Sequence, residues 1–115
     1  MGSLFFLALA VPASTLVPAN VQGTWGKHGR CDLLAERLTI TRFTAGWGKG
    51  PFHRVTYNPQ SQSVSWTEEG VVDDFVIGRT SNVLVHETEG PSMPGEEGYA
   101  RCRPHFKRMP WPPSR

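Results

Sequence analysis

Two cysteines, Cys31 and Cys102, have the widest chemical repertoire of any side chains in this 115-residue chain. A thiol is a nucleophile, a metal ligand or half of a disulfide, and its surroundings decide which. Neither belongs to a Cys-x-x-Cys pair, so spacing gives no support to a redox or zinc centre. The histidines His28, His53, His86 and His105 are scattered, none at the short spacing that marks a zinc site. Glu68, Glu69, Asp73 and Asp74 flank a turn and offer the hard oxygens that calcium takes, but they match no calcium-loop pattern. Asp73 shares an inward face with Phe75 and Ile77 only if the strand register runs unbroken. Gly90-Pro91-Ser92-Met93-Pro94-Gly95 sets a serine among glycines, as a nucleophile elbow does. Its glycine spacing differs, however, and its two prolines bar the strand-turn-helix context. Gly46-Trp47-Gly48-Lys49-Gly50 lacks the Ser or Thr after lysine that a phosphate cradle needs. No constellation commits the chain to a reaction, and the expectation is a protein that is not an enzyme, with no metal and no cofactor.

Charge is unevenly distributed behind a net value of +2. Residues 68–97 carry eight of the ten acids against the single base Arg79, whereas residues 27–54 sum to +4 and residues 101–115 to +5. Clustered on opposite sides, such charges would make a dipolar surface able to steer a partner. Solvated loops and strand faces account for the same pattern. From Pro104 onward the composition turns to Pro, Arg, Lys, His and Trp, so residues 104–115 read as a disordered or loosely docked basic tail. Within it Pro110-Trp111-Pro112-Pro113 favours polyproline II and would offer Trp111 to a partner groove. Arg101, Arg103, Lys107 and Arg108 beside aromatic residues resemble a nucleic-acid surface in composition, but the compartment argued next makes that partner unexpected.

The first 26 residues contain no charged side chain, and Leu4 to Val11 is an unbroken apolar run. That run has signal-peptide length and falls short of the roughly 20 residues needed to span a bilayer. Val17-Pro18-Ala19 presents the small-x-small pattern of a cleavage site, giving a signal over residues 1–19 and a mature start near Asn20; a cut after Ala13 fits almost as well. Met1-Gly2-Ser3 departs from the pattern in having no Lys or Arg. An oxidising destination, the periplasm or the medium, makes Cys31–Cys102 a disulfide by default. Closing so long a loop stabilises a small domain by about 4 kcal/mol in the chain-entropy model.

Short alternating runs broken by turn residues about every ten positions predict one all-β antiparallel domain over residues 20–103, a small barrel or sandwich of about seven or eight strands. The runs are 21–25, 37–43, 52–57, 62–66, 71–77, 82–87 and 99–103. Leu38 and Ile40 alternate with Thr39 and Thr41, and Val55, Tyr57, Val64 and Trp66 supply further inward faces. Asn58-Pro59-Gln60-Ser61, Glu69-Gly70 and Gly78-Arg79-Thr80-Ser81 are the connecting turns, and residues 46–51 and 88–98 are the loops. A last strand lying beside the first would close the sheet and remove its edges.

Gly23-Thr24-Trp25 on the first strand, with an arginine on the last, resembles the Gly-x-Trp signature of lipocalin-like barrels. The wider pattern, with Cys31 and Tyr99-x-Arg101-Cys102, resembles small exported bacterial lipocalin-like β-barrel proteins of unknown function. The resemblance implies that Trp25 packs at the barrel floor against Arg101 or Arg103. It covers only these few positions, and the chain is shorter than a true lipocalin. Periplasmic inhibitors of metalloproteases and of lysozyme are similar in size, although the Ser-Gly-x-x-Tyr pattern of the latter is absent. The expected function is therefore a noncatalytic binding or inhibitory module of the cell envelope with a protein partner. The alternatives are a carrier of small apolar ligands through a mouth near Trp25, Trp47 and Tyr99, and, further off, a small hydrolase or metal enzyme. Contact residues are expected among Trp25, Trp47, Tyr99, Arg101, Arg103 and Trp111.

Overall fold

A computed structural model describes residues 16–77, 82–88 and 97–112. Among these residues nine antiparallel strands form a nearly closed barrel: β1 Gly23–Lys27, β2 Arg37–Ile40, β3 Thr44–Trp47, β4 His53–Arg54, β5 Thr56–Asn58, β6 Ser63–Glu68, β7 Val71–Ile77, β8 Val83–Thr88 and β9 Glu97–Arg101. Their order is β4-β3-β2-β1-β9-β8-β7-β6-β5. Every neighbouring pair but one consists of consecutive strands. The exception is β1 with β9, where Trp25 lies opposite Arg101 and Tyr99 opposite Lys27. First and last strands thus meet, the arrangement that closes the sheet, and a three-residue 3-10 turn, Leu34–Glu36, is the longest helical element described.

The two outermost strands, β4 and β5, are halves of one extended stretch interrupted at Val55. The front half pairs with β3 through Ala45↔His53. The rear half pairs with β6 through Tyr57↔Val64. A single segment thereby covers both edges of the sheet, with Val55 buried at the corner and its N–H donating to the Phe43 carbonyl at 3.0 Å. Across the remaining seam His53 Nε2 lies 3.4 Å from Glu68 Oε1, and the His53 ring stacks on Trp66 with centroids 6.5 Å apart.

The sequence reading places seven runs that cover every strand but β3, because it takes 52–57 as one and assigns residues 46–51 to a flexible loop. Gly46 and Trp47 instead end β3, and the loop begins at Gly48. Gly46 tolerates no side chain because the returning loop packs on it: a Cβ there would lie 2.5 Å from the Pro51 carbonyl oxygen and 3.1 Å from Phe52 Cα. Turn chemistry holds elsewhere. Asn58 Oδ1 accepts from the N–H groups of Gln60 (2.9 Å) and Ser61 (3.3 Å), and Glu69 and Gly70 both take positive φ, 52° and 80°, in the two-residue hairpin between β6 and β7. The turn over residues 78–81, most of the 88–98 loop and the apolar run Leu4–Val11 lie outside the described residues.

Leu38, Ile40, Val64, Phe75 and Leu84 are fully buried inward-facing residues, as alternation requires. At the end where β1 begins, Val17 and Val21 close the floor; both are buried in the core cluster. Val17 is fixed by its N–H to the Arg42 carbonyl at 2.9 Å and by Gln22 Nε2 to its own carbonyl at 2.8 Å. The packed body therefore starts ahead of Asn20. Cys31 and Cys102 form the disulfide, with Cα atoms 5.7 Å apart, tying the loop after β1 to the end of β9. The Cys102 N–H continues the ladder by donating to the Thr24 carbonyl at 2.8 Å.

Candidate functional site

The residues that the sequence singles out fall in three places. Trp25 and Arg101 meet at the floor. Opposite positions on neighbouring strands project to one face, and the Arg101 guanidinium carbon sits 4.2 Å over the Trp25 ring. Its Nη1 donates to the Gln22 carbonyl at 3.1 Å, and its Nη2 donates to the Asn20 carbonyl. Desolvation by burial pushes its pKa below the ordinary arginine value, yet an arginine stays cationic at any ordinary pH. Trp25 donates its indole N–H to the Val21 carbonyl at 3.1 Å. This assembly latches the N-terminal segment to the barrel. It also removes Trp25 from the mouth: among the ring contacts of the described residues none joins Trp25 to Trp47 or Tyr99. Arg103, beyond the strand, is exposed and takes no part in the latch.

Trp47 and Tyr99 do come together, the indole N–H of Trp47 donating to the Tyr99 hydroxyl at 3.3 Å. Around them, toward the end where β9 begins, lie Trp66, Phe75 and His86, which the sequence reading does not connect. Trp47 is 5.5 Å from Trp66 and 5.8 Å from Phe75 between centroids. Phe75 stacks on His86 at 4.3 Å and meets Tyr99 edge-on at 5.5 Å. The pairing of β6 with β7 runs without a break from Ser63↔Val76 to Glu68↔Val71. Asp73 therefore shares the inward side of Phe75, where its Oδ1 lies 3.0 Å from His86 Nε2. Alternation sends Asp74 to the other face, and Glu68 turns to His53, so the four acids near the β6–β7 hairpin do not converge on one point. Among the described residues no group of three or more His, Cys, Asp or Glu is placed to hold a metal ion. The indole N–H of Trp66 is buried without a hydrogen-bond acceptor among the described residues.

The third place is the C-terminal segment, and it is more firmly held than its composition implies. The Met109 N–H donates to the Gly29 carbonyl at 2.8 Å. Phe106 lies beneath the Arg37 guanidinium at 4.3 Å, whose Nε also donates to the Cys31 carbonyl at 2.7 Å. Trp111 rests on the outer face of β9 where Gly98 leaves room for it, and it contacts the His28 ring at 5.6 Å. Trp111 is thus half-buried against its own barrel. Between Arg103 and Pro110 the segment encloses an open groove of about 430 Å³ whose lining includes Arg103, His105, Lys107, Arg108, Met109 and Pro110. Close by, Asp32 is bound through both oxygens by Arg30, at 3.0 and 2.8 Å. Those bonds are the main cause holding its pKa down to about 2, with Arg108 adding a weaker attraction.

Fold and sites together define a small antiparallel barrel, latched at its floor by a Trp–Arg stack and closed by one long-range disulfide. No protein-family model, curated protein or solved structure matches the chain. No helix among the described residues is long and apolar enough to cross a membrane.

Proposed function

We propose that the protein is an exported, noncatalytic binding or inhibitory module of the cell envelope, recognising a protein partner through its rim and outer surface. The observation that carries this reading is the mutual contact of Trp47, Trp66, Phe75, His86 and Tyr99. These rings occupy one another, so the inward faces are spent on packing and recognition falls to the outside. A disulfide supports an oxidising destination. Burial of Val17 favours signal cleavage after Ala13 over cleavage after Ala19, since the later cut would strip a core residue from the floor. The stack of Arg101 on Trp25 supports the lipocalin-like resemblance as a matter of architecture.

Immobilised protein is expected to capture an envelope or secreted protein saturably, in competition with free protein, while a panel of fatty acids and other lipophiles leaves its tryptophan fluorescence unchanged. Failure to capture anything ends the reading. A second reading, a carrier of small apolar ligands, is favoured by the buried Trp66 N–H without an acceptor, which a ligand carbonyl would satisfy. Saturable quenching by one lipophile, lost in Trp66→Phe, would put that reading first.

A further inference from the structure

We infer that the C-terminal groove between Arg103 and Pro110 is the recognition surface, and that its partner is an acidic, partly apolar polypeptide segment; this rests on the reading of the protein as a binding module. The groove is held in shape from several sides. The disulfide at Cys102 fixes its start, the Phe106 N–H donates to the Arg103 carbonyl at 3.0 Å within it, and the Met109 N–H anchors its far wall to Gly29. His105 and Phe106 take the left-handed conformation, φ 74° and 51°, which turns the chain back so that its cations flank one hollow.

Charge and lining select the occupant. Arg103, His105, Lys107 and Arg108 are all exposed. Among the described residues no carboxylate pairs with Arg103, Lys107 or Arg108, because the nearby Asp32 is engaged by Arg30. Among the described residues Arg103 and Lys107 therefore have no ion-pair partner and Arg108 has only a weak attraction to Asp32, and the loop is already held by backbone hydrogen bonds, so a partner that neutralises these cations does not have to order it. Pro104, Met109 and Pro110 give the same hollow an apolar side. A compact inorganic anion has no use for that side. A polypeptide whose carboxylates alternate with apolar side chains satisfies both, its acids reaching the flanking cations while its apolar residues cover the prolines and methionine.

Calorimetric titration of the exported protein with a synthetic Glu/Leu-alternating peptide tests this, in low and high salt. Saturable one-to-one binding that salt weakens is expected, with affinity lowered about tenfold or more in Lys107→Glu/Arg108→Glu. A charge-matched control, Arg42→Glu/Arg54→Glu at the floor end, is expected to bind as wild type does; unchanged urea midpoints confirm that both variants fold. Absence of binding by the wild type, or equal loss in both variants, overturns the assignment. Equally tight binding of inorganic phosphate or polyphosphate also overturns it, making the groove a general anion site. So does self-association abolished by the groove variant, which would make a second copy the occupant. If the groove variant still captures the envelope partner of wild type, this surface is wrong and the binding-module reading stands. If nothing is captured and a lipophile quenches the barrel tryptophans, that reading itself has failed.

Discussion

Arg101 illustrates how one side chain stabilises a structure by stacking and by hydrogen bonds to backbone. Its planar fork covers an indole face and donates to the carbonyls of Gln22 and Asn20, so one cation satisfies backbone acceptors of the segment that seals the floor. Arg101→Ala removes the stacking and at least two charge-assisted hydrogen bonds, and should cost about 2 kcal/mol in urea unfolding. Arg101→Lys should recover less than half of that, since an ammonium lacks the fork. Asp32 gives a pH signature. Its folded pKa is about 2 against an ordinary 3.8, so the stability it contributes is fully present above about pH 4 and is lost as pH falls toward 2. Asp32→Asn should therefore lower the urea midpoint at neutral pH slightly and flatten part of its decline with acid, the two proteins converging near pH 2. At this scale the partnership of Trp25 with a late arginine comes from the Gly-x-Trp resemblance and not from spacing or composition. The choice between Arg101 and Arg103 is not legible in the chain, because both flank Cys102 and only the cross-strand register separates them.

At the scale of elements the decisive contacts are close approaches that glycine permits. A Cβ on Gly98 would lie 2.5 Å from Trp111 Cζ2, so Gly98→Ala should displace the indole and loosen the C-terminal segment. Trypsin should then cut after Lys107 and Arg108 several times faster than in wild type, with the barrel intact. In β3 the same physics misleads a reader of the sequence. Gly46 looks like flexibility, whereas its lack of a side chain lets Pro51 and Phe52 pack on a regular strand. Inward and outward alternation of β2, β6 and β7 is legible, down to Asp73 beside Phe75. The ring cluster of Trp47, Trp66, Phe75, His86 and Tyr99 is not, since it joins five strands whose stagger is a property of the closing barrel. Phe75→Ala at the centre of that cluster should cost about 3–5 kcal/mol in urea unfolding.

Over the whole molecule, order depends on one pairing that is remote in the chain. Removing the bridge with Cys31→Ala/Cys102→Ala should lower unfolding free energy by about 4 kcal/mol, chiefly by freeing the unfolded chain. A small barrel would then be close to the limit of its stability. The all-β class and the disulfide follow from composition and spacing. The docked tail does not, because a run of prolines and bases carries no record of the glycines, Gly29 and Gly98, that receive it. The adjacency of β1 and β9 has a further bearing, on the order of events during synthesis. Each of the other ladders joins consecutive strands and can zip as soon as its hairpin has been made. β1, first to emerge, can gain its β2 partner but must wait for residues 97–102 before its other side is covered. A growing chain of this topology is therefore an open meander throughout synthesis, and becomes a barrel only when its final strand arrives.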